Sequence, residues 1–332
     1  MTQTKKELVL AALNNESVDR VPVGFWFHYT PEPDHFTGLE DEDVIKRNIA
    51  GHKKYYEKFK PDFVKLMSDG YFTYPNEALK NVKSVEELKN ITSIGANNPW
   101  IEKQVELVRQ LTDIFGNEVL TFYNVFSPAR YFGFLQRGDS NKILSDFIKE
   151  DRNAVKHALD VIADDLAILT EKVITVGKVT GIYLSVQNIL APNIDKETYE
   201  EIFAPGERKV IAAANRVSEN NILHICGYHG HRNDLTWYED YDIKAVNWAV
   251  TVEKISLSEG KRIFGGRAVI GGFDNTDTGL LYRGSKEEIE LYTENLIKEA
   301  GKTGVILGAD CTVPPDIDLV RFNWVRDAAA TL

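Results

Sequence analysis

The sequence predicts an α/β fold, a parallel (β/α)8 TIM barrel spanning residues 1–332 as a single domain, with an N-terminal helix ahead of strand one. Three observations carry this expectation. Short β-branched or aromatic runs alternate with helical periodicity along the whole chain. The runs number eight, the count such a barrel requires. Chemistry-bearing residues recur at or just after the ends of these runs, where barrel enzymes place their active sites. A doubly wound open sheet is the alternative, but no Gly-x-Gly-x-x-Gly follows the first run, which argues against a dinucleotide-binding version of it.

Taken in order, Leu8 to Leu13 reads as an amphipathic stretch, and the strands as Val21 to Trp26, Phe63 to Ser68, Val119 to Val125, Gly181 to Val186, Ile222 to Cys226, Ala245 to Ala249, Ala268 to Gly272 and Val305 to Gly308. Helical periodicity fills the intervals at Glu42 to Phe59, Pro99 to Thr112, Asn141 to Val176, Lys196 to Val217 and Lys286 to Ala300, with shorter pieces near Leu235 and Ile255.

Composition narrows the function. A net charge of −11 disfavours nucleic acid, whose phosphates would be repelled. No apolar run approaches the length of a membrane span. The first residues lack the apolar core and cleavage site of a signal peptide, so the cytoplasm is the expected compartment. There, two cysteines in 332 residues are expected to be thiols or metal ligands rather than a structural disulfide.

Those cysteines carry the sharpest signal. Cys226 sits in His224-Ile225-Cys226-Gly227 and Cys311 in Gly308-Ala309-Asp310-Cys311. Two apart on one strand, His224 and Cys226 project from the same face. A His-x-Cys pair with one distant Cys matches the three protein ligands and open fourth position of a catalytic zinc. Two small core thiols would be the plainer explanation, but the strand count brings both segments to the same end of the barrel, which favours metal.

At this point the sequence resembles the uroporphyrinogen decarboxylase superfamily, within its zinc-dependent methylcobamide:coenzyme M methyltransferase-like branch. The matching segments are Asp19-Arg20-Val21-Pro22-Val23, Lys65-Leu66-Met67-Ser68-Asp69, Gly181 to Gln187, Leu223 to Gly227, Gly271-Gly272-Phe273-Asp274 and Gly308 to Cys311 with Pro314-Pro315. The resemblance implies a barrel whose zinc, held by His224, Cys226 and Cys311, activates a thiol to accept a methyl group from a methylated corrinoid. The chain has no Asp-x-His-x-x-Gly cobalamin motif, so the corrinoid is expected on a separate protein, with a small-molecule thiol as acceptor. A homodimer is suggested only by the resemblance.

The metal-free decarboxylase branch is the alternative, and a non-catalytic barrel that binds a tetrapyrrole or corrinoid is a third. That branch grips its acidic substrate with arginines after strand one, where this chain reads Phe25-Trp26-Phe27-His28-Tyr29-Thr30-Pro31-Glu32 with none. Carboxylate-rich tetrapyrroles need such cations. Asp69, however, lies where the decarboxylase aspartate would be.

The remaining candidates follow from strand-end positions. Asp69, Gln187 and Asp274 are expected to be catalytic, and Trp26, His28 and Asn124 to contact the cofactor. All but Asn124 have a plainer structural alternative: an Asp-Gly turn for Asp69, backbone satisfaction for Gln187, a loop cap for Asp274, and barrel filling for Trp26 and His28. Asp310 should point away from the thiolate of Cys311, either supporting it from behind or packing in the barrel. Arg130 is a candidate for an anionic group or an ordinary surface ion pair. His229 and His231 read as loop residues rather than ligands.

Overall fold

The computed structural model describes residues 2–189, 194–227 and 231–332. Seven parallel strands, β1 (Phe63–Leu66), β2 (Leu120–Phe126), β3 (Gly181–Val186), β4 (Ile222–Ile225), β5 (Ala245–Trp248), β6 (Ala268–Phe273) and β7 (Val305–Ala309), lie side by side in sequence order. Helices fill the connections, as parallel pairing demands. The result is a curled, TIM-like α/β fold.

The expected first strand, Val21 to Trp26, is not a strand. It forms one parallel bridge, Val23 to Leu307. Pro22 has no N–H to give, and the Val23 N–H that a ladder would use is taken by the buried Asp62 carboxylate at 2.7 Å. Asp62 is itself clamped by two Arg20 hydrogen bonds of 2.6 Å. The segment still bonds on both sides: Leu307 N–H donates to the Pro22 carbonyl, Gly24 N–H to the Leu307 carbonyl, and Asp62 N–H to the Val23 carbonyl. The eight-strand count is therefore corrected to seven among the described residues, with an irregular segment bonded between β7 and the entry to β1.

Two expected helices are divided, each for a readable reason. Asn141 to Val176 becomes Ser140–Glu150 and Arg152–Thr175, because Asp151 turns extended (φ −153°) and its carboxylate caps the amides of Asn153 and Ala154. Lys196 to Val217 splits at Phe203, where Pro205 starts a new helix, Ala204–Asn215, in its first turn. Glu42–Phe59 forms as expected, capped by Asp41.

Alternation along the strands creates two apolar layers. One face packs under the helices through residues such as Val64, Leu66, Val125, Leu184, Leu223, Val246 and Val269. The other holds Phe63, Met67, Phe122, Tyr183, Ile222, Ala245, Ala268 and Ile306 together with Leu8, Val9, Ala11, Ala12 and Leu13 of the N-terminal helix, Lys5–Leu13. Phe63, Ile222, Ala245 and Ala268 of this layer, and Leu120 with them, open their strands, so the helix covers the N-terminal end. Burying Leu8 and Leu13 there contributes about 1.5–3 kcal/mol each. The C-terminal end is left for the site.

Candidate active site

A cavity of about 330 Å³ opens at the C-terminal ends of the strands. Its lining combines Phe36, Phe72, Phe126 and Phe134 with His28, Glu32, His35, Lys65, Asn124, Arg130, Gln187, His224, Cys226 and Cys311. The phenylalanines form one body: Phe72 stacks on Phe134 at 5.3 Å, and Phe126 meets both edge-on.

His224, Cys226 and Cys311 converge, their donor atoms all within 4.8 Å of one another. His224 is buried and the two cysteines half-buried. The Cys311 Sγ lies 3.5 Å from His224 Nε2. In-register pairing sets Asn247 of β5 opposite His224 of β4, and Asn247 Oδ1 lies 2.5 Å from His224 Nδ1. The amide cannot be reversed, because Asn247 Nδ2 donates to the carbonyls of Ile270 and Ala309 at 2.9 and 3.2 Å. The oxygen therefore accepts, His224 carries its proton on Nδ1, and the Nε2 lone pair faces the sulfurs. The hydrogen bond from Cys226 outweighs burial and, with Lys65 nearby, holds the Cys311 thiol well below its usual range, while the Cys226 thiol, as donor and by burial, is pushed up.

The backbone around this trio is tied down. Asn233 Nδ2 donates to the Cys226 carbonyl at 2.9 Å and to Glu253 Oε1 at 2.8 Å, and Asn233 N–H reaches Glu253 Oε2 at 2.8 Å. Gly227 is obligatory at this crossing, since a Cβ there would meet the Ala249 Cβ at 2.7 Å. Asp310 points away from the cavity, as its neighbourhood to Cys311 on an extended chain predicts. It accepts from the amides of Val250 and Thr251 and from the Thr251 hydroxyl, and burial pushes its carboxyl up to about 7.

A second group lies on the opposite chemistry. His28 Nδ1 meets Asp69 Oδ1 at 2.7 Å, and Tyr29 N–H donates to Asp69 Oδ2 at 2.7 Å. Burial raises the Asp69 carboxyl, but these hydrogen bonds and the nearby His28 and His35 rings outweigh it and hold the group below its ordinary range. His35 packs against His28 at 4.2 Å with Nε2 3.0 Å from the Thr30 carbonyl.

Of the residues singled out in the sequence, His28, Asn124, Gln187, His224, Cys226 and Cys311 line the one cavity, joined by Arg130, whose guanidinium lies 4.5 Å over Phe134. Asn124 donates to Ser68 Oγ at 3.0 Å. Asp69 sits behind His28 rather than in the lining. Trp26 is buried beneath the cavity floor against Tyr183, 5.4 Å away. Asp274 is a turn residue whose Oδ1 accepts from Thr276 N–H at 2.8 Å, outside the lining. His231 is exposed, and His229 lies outside the described residues.

Two residues escaped the sequence reading. Asn247 has no local motif of its own, and Lys65 stands out only as part of a matching segment. Period-two alternation carried the signal for both: Lys65 falls between Phe63 and Met67 on the inner face, and Asn247 shares the register of His224. Lys65 is buried, with its ammonium 4.3 Å over the Tyr183 ring and 5.1 Å over that of Trp26. Burial pushes it down to about 8, against the pull of Cys311 and Cys226.

A family model described as uroporphyrinogen decarboxylase (URO-D) matches residues 64–332. The chain belongs to the URO-D family. Among solved structures it is similar to a methyltransferase from Methanosarcina mazei, with a TM-score of 0.73 and 16% identity over 99% of this chain and 98% of that one. A B12-independent methionine synthase from Shewanella sp. W3-18-1, in complex with selenomethionine, matches with a TM-score of 0.57 and 13% identity over 94% and 97%. A putative vitamin-B12 independent methionine synthase from Listeria monocytogenes matches at 0.51 and 12% over 91% of each. At these identities the likeness is one of fold. No curated protein matches the chain. No helix among the described residues is long and apolar enough to cross a membrane.

Proposed function

We propose that this URO-D family member is a zinc-dependent methyltransferase that moves a methyl group from a methylated corrinoid, carried by a separate protein, to a small-molecule thiol in the cytoplasm. We take residues 1–332 as one catalytic domain and Val21 to Trp26 as the eighth, irregular stave of its barrel.

The observation that carries the reading is the set of donor atoms of His224, Cys226 and Cys311, with Asn247 turning the His224 lone pair inward. A tetrahedral centre with bonds of about 2.0–2.1 Å to nitrogen and 2.3 Å to sulfur spaces those atoms about 3.6 Å apart. The His224 Nε2 to Cys311 Sγ distance is 3.5 Å. Zinc held by these three residues would supply the Lewis acidity that keeps an acceptor thiol deprotonated near neutral pH.

The rest of the chemistry belongs to the chain. Asn247 fixes the tautomer and ring plane of His224. Asn233 and Glu253 fix the strand end that carries Cys226. The Phe72, Phe126 and Phe134 cluster gives a flat apolar wall for the methyl donor. Asn124, Gln187 and His28 offer polar contacts along the same lining. The decarboxylase alternative gains nothing from Asp69, whose two oxygens are taken by His28 and Tyr29 N–H behind the lining.

The test is methyl transfer from methylcobalamin to a panel of small thiols. Activity should vanish with chelation and return with zinc, and Cys226→Ser should lose metal and activity together. Full turnover in the metal-free protein would refute the reading, and turnover of uroporphyrinogen in chelator would replace it.

A further inference from the structure

Resting on that reading, we propose that Lys65 is the counter-ion of the acceptor sulfur: the cavity is built one negative charge short, and the acceptor fills it as a thiolate. Its proton leaves for bulk water when the S–H bond breaks on entry.

The geometry comes first. Lys65 is 3% exposed on the inner face of β1. Among the described residues its ammonium has no hydrogen bond and no ion pair, only the ring faces of Tyr183 and Trp26 at 4.3 and 5.1 Å. Tyr183 also lies beside His224, with ring centroids 6.0 Å apart, so the cation sits one ring away from the donor trio and shares the cavity with it. Beneath the lining, the Tyr183 hydroxyl and the Trp26 Nε1 are buried and unpaired among the described residues. Buried charges persist when they are paired, and an ammonium left against two rings lacks its partner.

Counting charge identifies that partner. A divalent ion with two thiolates and a neutral imidazole sums to zero, and Arg130 and Glu32 of the same lining offset each other. The sulfurs of Cys226 and Cys311 then no longer compensate Lys65, and the nearby Asp69 is committed to His28 and Tyr29 N–H. A neutral fourth ligand leaves a buried positive charge, whereas an anionic one closes the count.

The full-length protein loaded with cobalt(II) tests this without turnover, because its visible spectrum reports the fourth ligand. Azide serves as an anionic probe and imidazole as a neutral one. In Lys65→Met, azide affinity should fall by about tenfold or more, the scale set by a cation several ångström from an anion at intermediate dielectric. Imidazole affinity should stay within about twofold, and Lys65→Arg should keep the preference for azide, since it keeps the charge. If Lys65→Met does not fold, Lys65→Gln makes the same comparison. Cobalt uptake with unchanged azide binding in the neutral variants overturns this inference alone. A protein that takes up no cobalt overturns the metal reading beneath it as well.

Discussion

His224, Cys226 and Cys311 bring three donor atoms within 4.8 Å of one another, and so do His28, His35 and Asp69. The two groups differ in what each atom is already doing. In the first, Asn247 takes the far nitrogen of His224 and leaves the near one facing two sulfurs. In the second, His28 Nδ1 and Asp69 Oδ1 hold each other, Asp69 Oδ2 accepts from Tyr29, and His35 Nε2 faces the Thr30 carbonyl. Proximity of ligand-type residues is therefore insufficient. A donor set suits a metal when its lone pairs converge unspent and its outer atoms are held from behind.

The largest effect should come from the first group. His224→Ala, Cys226→Ser or Cys311→Ser should each take the metal content from about one per chain to near zero, measured by elemental analysis of protein purified without chelator. Asn247→Leu comes next. It removes the support without removing a ligand, so metal affinity should fall by about 10–100-fold in a competitive chelator titration. An unchanged affinity would mean that the ring is positioned by strand packing alone.

The second group should behave in the opposite way. Asp69→Asn leaves metal content unchanged but costs about 1–3 kcal/mol in denaturant unfolding, since Asn cannot accept both hydrogen bonds as a charged group. Its pH dependence has a definite sign. The folded-state pKa of Asp69 lies below the ordinary 3.8, so the carboxylate's contribution is present above that value and is lost as pH falls through the folded pKa. The gap between wild type and Asp69→Asn should thus narrow on acidification. Loss of metal in Asp69→Asn would erase the distinction between the two groups.

How much of this was legible in the sequence depends on the kind of information involved. The meeting of His224, Cys226 and Cys311 at one end of the strands is legible because residue type and spacing on a strand are local facts. Six of the seven strands keep nearly their expected limits, and β1 ends two residues short of Ser68, because short apolar runs between helices leave little freedom. Val21 to Trp26 failed as a strand because the Asp62 carboxylate captures the Val23 N–H, a contact across 39 residues that no local pattern announces. Asp69 and Asp274 had the right residue type for catalysis, but one is spent on His28 and the other on its own turn. Asn247 and Lys65 were visible only as polar residues on an inward-facing strand position, and what they touch emerged only when β1, β3, β4 and β5 were placed together.

The sulfur-containing group should hold zinc, and the carboxylate-containing group should not. X-ray absorption at the zinc edge of the purified protein tests it most directly. About one zinc per chain is expected, with two sulfur neighbours at about 2.3 Å and a nitrogen neighbour at about 2.0–2.1 Å. A coordination shell of nitrogen and oxygen alone, or a fully active protein with no zinc, would contradict it.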